Sequence, residues 1–366
     1  MPLTKIEIEY YSQQIKLNEV GLQGQERLKN AHVLCVGAGG LSAPLLLYLA
    51  AAGIGTIGII DADEVEMSNL HRQVVYRHTH LGRPKTAMAK EQLLALNPYI
   101  KINLYQDNLT PINARKIIQR YHIIADCTDN FATRYLINDV CYYLNKPYLF
   151  ASVQQFQGQC SLFLGSSGPC LRCLFPVPPK VGAIPNCGES GIVGVVPGLL
   201  GTLQATEIIK WILQQGQSLQ GKLLMVDMLT MQFRQFFLKR NPECKLCVYR
   251  KPIKELLKSA PVKIPHGISA SRLREKLQKQ KNIILIDVRS PEERSINNPL
   301  GGQLIPLASL ASRLPHLDTN KSIVVYCHSS FRSQEAVRIL IRAGFSRIKF
   351  LLGGLIAWQK TETCKN

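Results

Sequence analysis

The sequence predicts an α/β protein in two parts: a doubly wound, nucleotide-binding sheet followed by a second, smaller α/β unit. Three observations carry this. First, an apolar run from Val33 to Val36 stops at a glycine cluster, Gly37, Gly39 and Gly40. An uncharged stretch of helical length then leads to a second run, TIGII, which ends near Asp61 and Asp63. Strand, glycine turn, helix, strand, acid is the order in which a βαβ unit holds a nucleotide. The glycines let the backbone approach phosphate, the helix N-terminus offers free N–H groups, and the acid reaches a ribose hydroxyl. Second, HIIADCTDN (122–130) repeats the pattern of an apolar strand ending in acids. Third, the strand–helix alternation restarts beyond residue 266.

A chain of 366 residues allows two or three domains, at roughly 100–200 residues each. Its 46% hydrophobic content is ample for a core. The net charge of +19 raises the question of nucleic acid. The surplus is spread along the chain, however: residues 266–366 carry 16 Lys+Arg against 7 Asp+Glu, and residues 1–265 carry 28 against 18. No basic run is interleaved with aromatics. The charge therefore suits anionic ligands and an acidic protein partner, and no nucleic-acid partner is expected. Residues 41–60 hold no charge and could imitate a membrane helix, but Pro44, Gly53, Gly55 and Gly58 divide them into helix and strand. No membrane association is expected. With no basic-then-apolar leader, the 11 cysteines point to a reducing compartment, the cytoplasm, and to metal or catalytic use rather than disulfides.

Residues 1–30 read as polar helix. After the βαβ unit, Lys85 to Leu96 has helical apolar spacing that stops at Asn97-Pro98. IKINLYQ (100–106) alternates as a strand and residues 111–120 return to helix. Residues 122–130 add a parallel strand whose end is expected to place Asp126 and Asp129 beside Asp61 and the glycine turn. From Pro147 two strands, YLFASVQ and GQCSLFLG, lead into a loop rich in Gly, Pro and Cys. An apolar helix over 198–215 and a strand pair within 222–238 come next. Residues 251–265, with Pro252, Pro261 and Pro265, read as a linker between a domain over 1–250 and another over 266–366. The second domain holds a helix over 269–280, strands IILIDVR and SIVVYC, a helix over 333–343, strand IKFL and a Gly353-Gly354 turn.

By itself the glycine turn is a weak signal. Ser42 occupies its third glycine position, and a dinucleotide-dependent oxidoreductase shares the pattern. The residues after Asp61 favour ATP. SNLHRQ (68–73) sets Arg72 shortly after the acid, and Lys85 stands behind a Gly-Arg-Pro turn. Two cations and a glycine cradle neutralise a triphosphate, and Asp129 offers a carboxylate for Mg²⁺. The plain alternative makes Arg72 and Lys85 solvated surface charges.

GAGGLS, DADEVEMSNLHRQ, GRPK, DCTDN, GPCLRC and NPECKLC occur in the order and approximate spacing of the ubiquitin-activating-enzyme-like (ThiF/MoeB) superfamily. The chain resembles that superfamily over roughly residues 8–250. The resemblance implies a Rossmann-like adenylation domain, working as a homodimer, that adenylates the C-terminal glycine of a small ubiquitin-like sulfur-carrier protein. With the glycines Gly37 and Gly39 already read as the cradle, it implies ATP contacts at Gly40, Asp61, Ser68, Asn69, Leu70, His71, Arg72, Lys85, Asp129 and Asn130. A terminal carboxylate is ionised at pH 7, so its attack on the α-phosphate needs positioning and charge neutralisation rather than a general base. The family's N-terminal Arg-Tyr-x-Arg-Gln motif, whose second arginine reaches the phosphates of the neighbouring subunit, is here Tyr10-Tyr11-Ser12-Gln13-Gln14. Lys16 is the nearest substitute, a point charge where a guanidinium binds two oxygens.

Cys170-x-x-Cys173 and Cys244-x-x-Cys247 supply four thiolates in two pairs, which suits tetrahedral Zn²⁺; the plain alternatives are a redox dithiol or unrelated core cysteines. The resemblance places a structural zinc on all four. Cys187, in IPNCGESG, matches the family's candidate nucleophile, which bonds the carrier's terminal glycine or resolves a mixed disulfide. Cys35, Cys127, Cys141 and Cys160 read as core. Further on, CHSSFRS (327–333) puts Cys327 at a helix N-terminus with Arg332 and converging N–H groups. That setting lowers a thiol pKa and stabilises an attached anion. With DVR (287–289) and GGLIAW (353–358), this stretch resembles rhodanese domains over about residues 266–360. The loop has four residues between Cys327 and Arg332. A protein-phosphatase loop has one more, and the smaller ring suits a persulfide sulfur better than phosphate. Ser330 stands at the loop's usual glycine, and His328 either tunes the nucleophile or is simply exposed.

The two resemblances together imply an adenylyltransferase fused to a sulfurtransferase, of the kind that serves molybdopterin, thiamine or tRNA thiolation. ATP–Mg²⁺ would adenylate the carrier. A persulfide on Cys327, loaded by a donor such as a cysteine desulfurase or thiosulfate, would displace AMP, and Cys187 would release the thiocarboxylate. The rivals are a dinucleotide-dependent oxidoreductase and a partner-binding or sulfurtransferase-only protein whose nucleotide site is weakened at Gln13 and Ser42.

Overall fold

The alternation of strands and helices resolves into two units, Met1–Pro261 and Val262–Asn366, in a computed structural model that describes residues 2–177, 191–250, 267–279, 282–319 and 321–363. Cys187 and the stretch 251–265 lie outside the described residues. In the first unit the polar N-terminal stretch forms three short helices, α1 (Lys5–Tyr10), α2 (Ser12–Ile15) and α3 (Gly21–Asn30). Then come β1 (His32–Val36), α4 (Ser42–Ala51), β2 (Thr56–Ile60), α5 (Lys85–Leu96), β3 (Lys101–Tyr105), α6 (Ala114–Ile118) and β4 (Ile123–Asp126). The unit closes with α7 (Phe131–Tyr143), β5 (Pro147–Gln154), β6 (Gln157–Leu164), α8 (Leu171–Leu174), α9 (Val195–Leu213), β7 (Lys222–Asp227) and β8 (Gln232–Phe237).

These strands make one eight-stranded sheet in the order β3-β2-β1-β4-β5-β6-β7-β8. It is parallel from β3 through β5 and antiparallel from β5 through β8. The central strands are apolar throughout because both faces are covered. Val33, Cys35, Ile57 and Ile59 join one core, and their neighbours Leu34, Val36 and Ile60 join the other. Chain order reverses between β1 and β4, with Val36 paired to Ile60 on one side and to Asp126 on the other. Ligands of open α/β sheets enter the crevice at such a reversal, and here the glycine turn sits at its edge.

Helix α4 is apolar except where Tyr48 meets solvent, because it is buried against both the sheet and α9. Leu45, Leu46 and Leu49 are fully buried, each contributing roughly 1.5–3 kcal/mol. The two helices meet at Gly201, where a Cβ would lie 2.1 Å from the Leu41 carbonyl oxygen. Gln204, one turn later, donates from the core to the carbonyls of Asp126 (2.9 Å) and Leu149 (3.3 Å). Helix α9 therefore fixes the strand ends that flank the crevice. No described helix is long and apolar enough to cross a membrane.

Several elements differ from the sequence reading. Helix α7 was not anticipated, since Thr133, Arg134, Asn138 and Asp139 hide its apolar period, yet all four are buried. Helix α6 is shorter than expected and α9 begins earlier, at Val195. Asp126 does not face the crevice. It is fully buried, and its carboxylate accepts from the Thr128 N–H (2.9 Å), the Thr128 hydroxyl (2.6 Å) and the Tyr148 hydroxyl (3.1 Å).

The second unit is a four-stranded parallel sheet in the order β10-β9-β11-β12. It is built from α10 (Ala270–Lys279), β9 (Ile283–Asp287), α11 (Pro291–Ile296), β10 (Gln303–Leu304), α12 (Leu310–Arg313), β11 (Ser322–Tyr326), α13 (Phe331–Arg342), β12 (Ile348–Phe350) and α14 (Gly354–Thr363). Gly353 and Gly354 do turn the chain, at φ +69° and +59°, but Gly354 also opens α14.

Gly201→Ala should force α9 away from the Leu41 carbonyl and cost about 2–4 kcal/mol. Thermal unfolding of the variant should show a clearly lowered midpoint; an unchanged midpoint would contradict this packing.

Candidate functional site

The glycine turn is shaped by Asp61. Its carboxylate accepts the Ala38 N–H at 2.7 Å and the Asp63 N–H at 2.7 Å, tying the ends of β1 and β2 together. Gly37 takes φ +93°, with a Cβ position 2.8 Å from the Cys127 carbonyl oxygen, so only glycine fits. At Gly39 the nearest atom to a Cβ would be Gln73 Nε2, 3.9 Å away, which leaves the backbone approachable. Gly40 faces Pro197 and the Arg72 side chain. Ser42, standing where a third glycine was looked for, is buried and donates its hydroxyl to the Gly39 carbonyl at 2.8 Å.

The SNLHRQ stretch is hung on this turn. The Tyr76 hydroxyl donates to the Ala38 carbonyl at 2.9 Å, and burial pushes its pKa well up. Asn69 is buried, and its Oδ1 accepts the Glu66 N–H at 3.3 Å. Arg72 curls back so that Nη1 donates to the Ser68 carbonyl (2.7 Å) and touches His71 Nε2 (2.9 Å). Gly194 packs against His71 and Arg72, where a Cβ would meet the His71 carbonyl oxygen at 2.4 Å. Leu70 packs against the core. Lys85 is buried at the first position of α5 and pairs with Asp63 at 3.3 Å, so it is no solvated surface charge.

Across the crevice Asp129 is exposed and Asn130 caps α7, its Oδ1 accepting the Thr133 N–H at 2.9 Å. The sequence reading missed the residue that steadies this corner. Arg134 is buried, with Nη2 donating to the Thr128 carbonyl (2.9 Å), Nη1 to the Ser152 hydroxyl (3.1 Å), and its plane near the Phe131 and Phe150 rings. It joins the Asp129-Asn130 turn to β5. Ser152 also lines a groove of about 360 Å³ along β5 to β8, together with Gln157, Asp227 and Arg234. Gln13 is exposed on α2.

On the far side of α7 the four paired cysteines converge. Their sulfurs all lie within 4.8 Å of one another, with Cys170–Cys244 at 3.7 Å, Cys170–Cys173 at 3.9 Å and Cys173–Cys247 at 3.2 Å. A zinc tetrahedron with Zn–S bonds of about 2.3 Å has edges of about 3.8 Å. None of these contacts approaches disulfide length. The cluster is consistent with zinc, and the two pairs form one set rather than two dithiols. Beneath it, Arg172 grips Asp139 through two bonds of 2.7 Å and lies 4.7 Å from the Tyr135 ring. Cys35, Cys127, Cys141 and Cys160 are buried in the core.

In the second unit Cys327 is buried at the end of β11, and its sulfur accepts the Ser333 N–H at 3.4 Å. Helix α14 meets the loop with two further amides, Leu355 N–H to the Cys327 carbonyl (3.0 Å) and Ile356 N–H to the His328 carbonyl (3.3 Å). His328 is exposed. Arg332, expected beside the sulfur, is instead engaged by a carboxylate. Its guanidinium makes two 2.6 Å bonds to Glu293, which hold the Glu293 pKa down to about 2. The pair therefore persists well below the pH at which an ordinary glutamate protonates, about 4.3, and is lost only as pH falls toward 2. Neither Glu293 nor Ser333 stood out in the sequence, because both act through partners that spacing does not reveal.

Residues 11–246 match the ThiF family, and residues 269–361 match the rhodanese-like domain. Over 369 residues the chain is 40% identical to the probable adenylyltransferase/sulfurtransferase MoeZ of Mycobacterium tuberculosis (strain CDC 1551 / Oshkosh), covering 98% of this chain and 94% of that protein. Over 252 residues it is 47% identical to the sulfur carrier protein adenylyltransferase of Thermus thermophilus, covering 68% and 93%. Among solved structures, Escherichia coli MccB with ATP superposes with a TM-score of 0.58 at 24% identity, covering 65% of this chain and 74% of that one, a likeness of fold.

Asp139→Asn would leave the Arg172 guanidinium buried without its counter-charge. A loss of roughly 3–5 kcal/mol is expected, read as a lowered denaturant midpoint with an unchanged slope; a neutral result would show that the pair does not brace the cysteine cluster.

Proposed function

Because this chain belongs to the ThiF family and carries a rhodanese-like domain after it, we propose that it adenylates a sulfur-carrier protein and then transfers sulfur to it. The observation that supports this most is the joint arrangement of the Asp61-shaped glycine turn, the buried Lys85 and the Asp129-Asn130 corner at one sheet reversal. ATP would lie along the turn, with Gly37, Gly39 and Gly40 at the phosphates, Asp61 near the ribose, and Ser68 through Arg72 beside the chain of phosphates. Asp129 would hold Mg²⁺ there, which supplies further charge neutralisation. A carboxylate oxygen of the carrier's terminal glycine attacks the α-phosphorus, and pyrophosphate leaves. The groove that begins at Ser152 offers a path for an extended tail.

The terminal sulfur of a Cys327 persulfide then attacks the acyl carbon, and AMP leaves with the bonding electrons. Ser333 N–H reaches the Cys327 sulfur, the amides at the start of α14 stabilise the loop's shape, and Arg332, paired with Glu293, ties the loop to α11. The resulting acyl disulfide is opened by the Cys187 thiolate at the Cys327 sulfur, which releases the thiocarboxylate and leaves a Cys187–Cys327 disulfide for a dithiol reductant. Thiosulfate or a cysteine desulfurase is the sulfur donor. Cys170, Cys173, Cys244 and Cys247 would hold a structural zinc, since four sulfurs leave no open position. The family resemblance implies a homodimer.

Gln13, exposed where the family carries an arginine, favours a second reading: a sulfurtransferase with a weakened nucleotide site. Carrier-dependent exchange of pyrophosphate into ATP separates the two. The wild type should exchange, and Asp129→Asn should cut the rate by roughly 10²–10³; absence of exchange with every carrier tried would leave only the second reading. After incubation with a sulfur donor, intact-mass measurement should find one added sulfur that Cys327→Ala abolishes. An adduct unchanged in that variant would remove the persulfide role.

A further inference from the structure

The sheet of the first unit ends in an open edge at β3. Among the described residues β3 pairs with β2 alone, in register from Lys101 against Thr56 to Tyr105 against Ile60. The Lys101 N–H donates to the Gly55 carbonyl at 2.9 Å, and the Tyr105 carbonyl accepts the Asp61 N–H at 3.1 Å. Residues 101, 103 and 105 therefore turn their backbone groups toward β2. The alternation of a parallel ladder leaves the N–H and C=O groups of Ile102 and Leu104 facing outward. These two donor–acceptor pairs, roughly 6.6 Å apart along the strand, are the groups that an added strand engages.

The two sides of this edge differ. On one, Asn103 Nδ2 donates to the buried Tyr121 hydroxyl at 3.4 Å, and the Tyr105 and Tyr121 hydroxyls meet at 3.0 Å. Lys101 shares that side by alternation. On the other, Ile102 is buried in the core, while Leu104 is left 36% exposed. Lys90 from α5, Lys101 and Arg120 line a concavity of about 550 Å³ along the edge, and among the described residues no acidic side chain lines it. Charged groups on an edge strand ordinarily turn other strands away, but cations alone turn away only strands that are themselves basic. A second copy would bring the same cations. The linker stretch 251–265, with four lysines against one glutamate, also has the wrong sign.

We propose that the β3 edge receives an extended segment of an acidic partner protein in which carboxylates alternate with apolar residues. The segment's main chain bonds the outward groups of Ile102 and Leu104. Its carboxylates lie toward Lys101 and Arg120, and its apolar side chains meet Leu104. Strand β3 stands at the opposite end of the sheet order from β8, so this partner does not compete with an occupant of the groove along β5 to β8. The surface is independent of the adenylation reading.

Fluorescence anisotropy of the full-length protein with a labelled peptide, Thr-Glu-Val-Glu-Val-Glu-Thr, tests this. Saturable binding is expected, and it should weaken as salt is raised. Lys101→Glu and Arg120→Glu should each weaken it roughly tenfold at an unchanged melting temperature; should one variant not fold, the other decides. Two control peptides separate strand addition from bare charge: the same residues in block order, Glu-Glu-Glu-Val-Val-Thr-Thr, and the original with every peptide nitrogen methylated. Both should bind at least about tenfold more weakly. The proposal is overturned by the absence of saturable binding up to about 1 mM peptide. It is overturned equally by a control peptide that binds within about twofold of the original, or by charge reversals that leave the affinity unchanged.

Discussion

Two hydrogen bonds to one carboxylate organise the nucleotide half of this protein. Asp61 receives the Ala38 and Asp63 N–H groups, and each such bond to a charged acceptor contributes about 1.5–3 kcal/mol. The bond to Ala38 sets the turn after β1, and from the same residue's carbonyl Tyr76 suspends the SNLHRQ stretch. The bond to Asp63 orients the loop whose carboxylate meets Lys85. Glycines, arginine and lysine are thereby referred to one fixed point at the sheet reversal. Pre-set geometry of this kind lowers a phosphoryl-transfer barrier without a proton relay.

The sulfur-bearing sites share a different device. Each is braced by an arginine held bidentate on a carboxylate, a geometry that fixes direction as well as distance. Arg172 on Asp139 supports the helix turn that carries Cys170 and Cys173. In the second unit, Arg289 grips buried Asp287 and also donates to the carbonyls of Glu293 and Asn297. Glu293 in turn receives Arg332 from the Cys327 loop. The reactive loop is thus linked through α11 to the central strand of its sheet.

Most of the sheet was legible in the sequence because its strands are largely β-branched runs bounded by glycine or acid. The TIGII strand and the helix from Lys85 to Leu96 lie where their periodicity places them. Legibility failed wherever a side chain's meaning depends on a partner far along the chain. Asp126 and Asp129 look alike as acids after a strand, yet Tyr148 from β5 draws Asp126 into the core. Helix α7 escaped notice because it is buried on several sides through polar residues, which hide its apolar period. Arg332 has the expected position in the loop, but Glu293 cannot be foreseen as its counter-ion from spacing. The convergence of Cys170, Cys173, Cys244 and Cys247 needed the family resemblance, since the long gap between the pairs carries no geometric information.

Ser330 carries a cost and a return. It holds φ +86° where glycine would be relaxed, a conformation costing roughly 1–3 kcal/mol for a residue with a Cβ. In return its hydroxyl reaches the Leu351 carbonyl at 2.8 Å, and its own carbonyl anchors Ser333, whose N–H touches the Cys327 sulfur. A glycine there would relieve the backbone but cut the strut to the segment after β12. The loop is therefore a sprung clamp rather than a loose cradle. Its shape rests on one unfavourable dihedral offset by one hydrogen bond, so a side chain without the hydroxyl would keep the backbone cost and lose what compensates it.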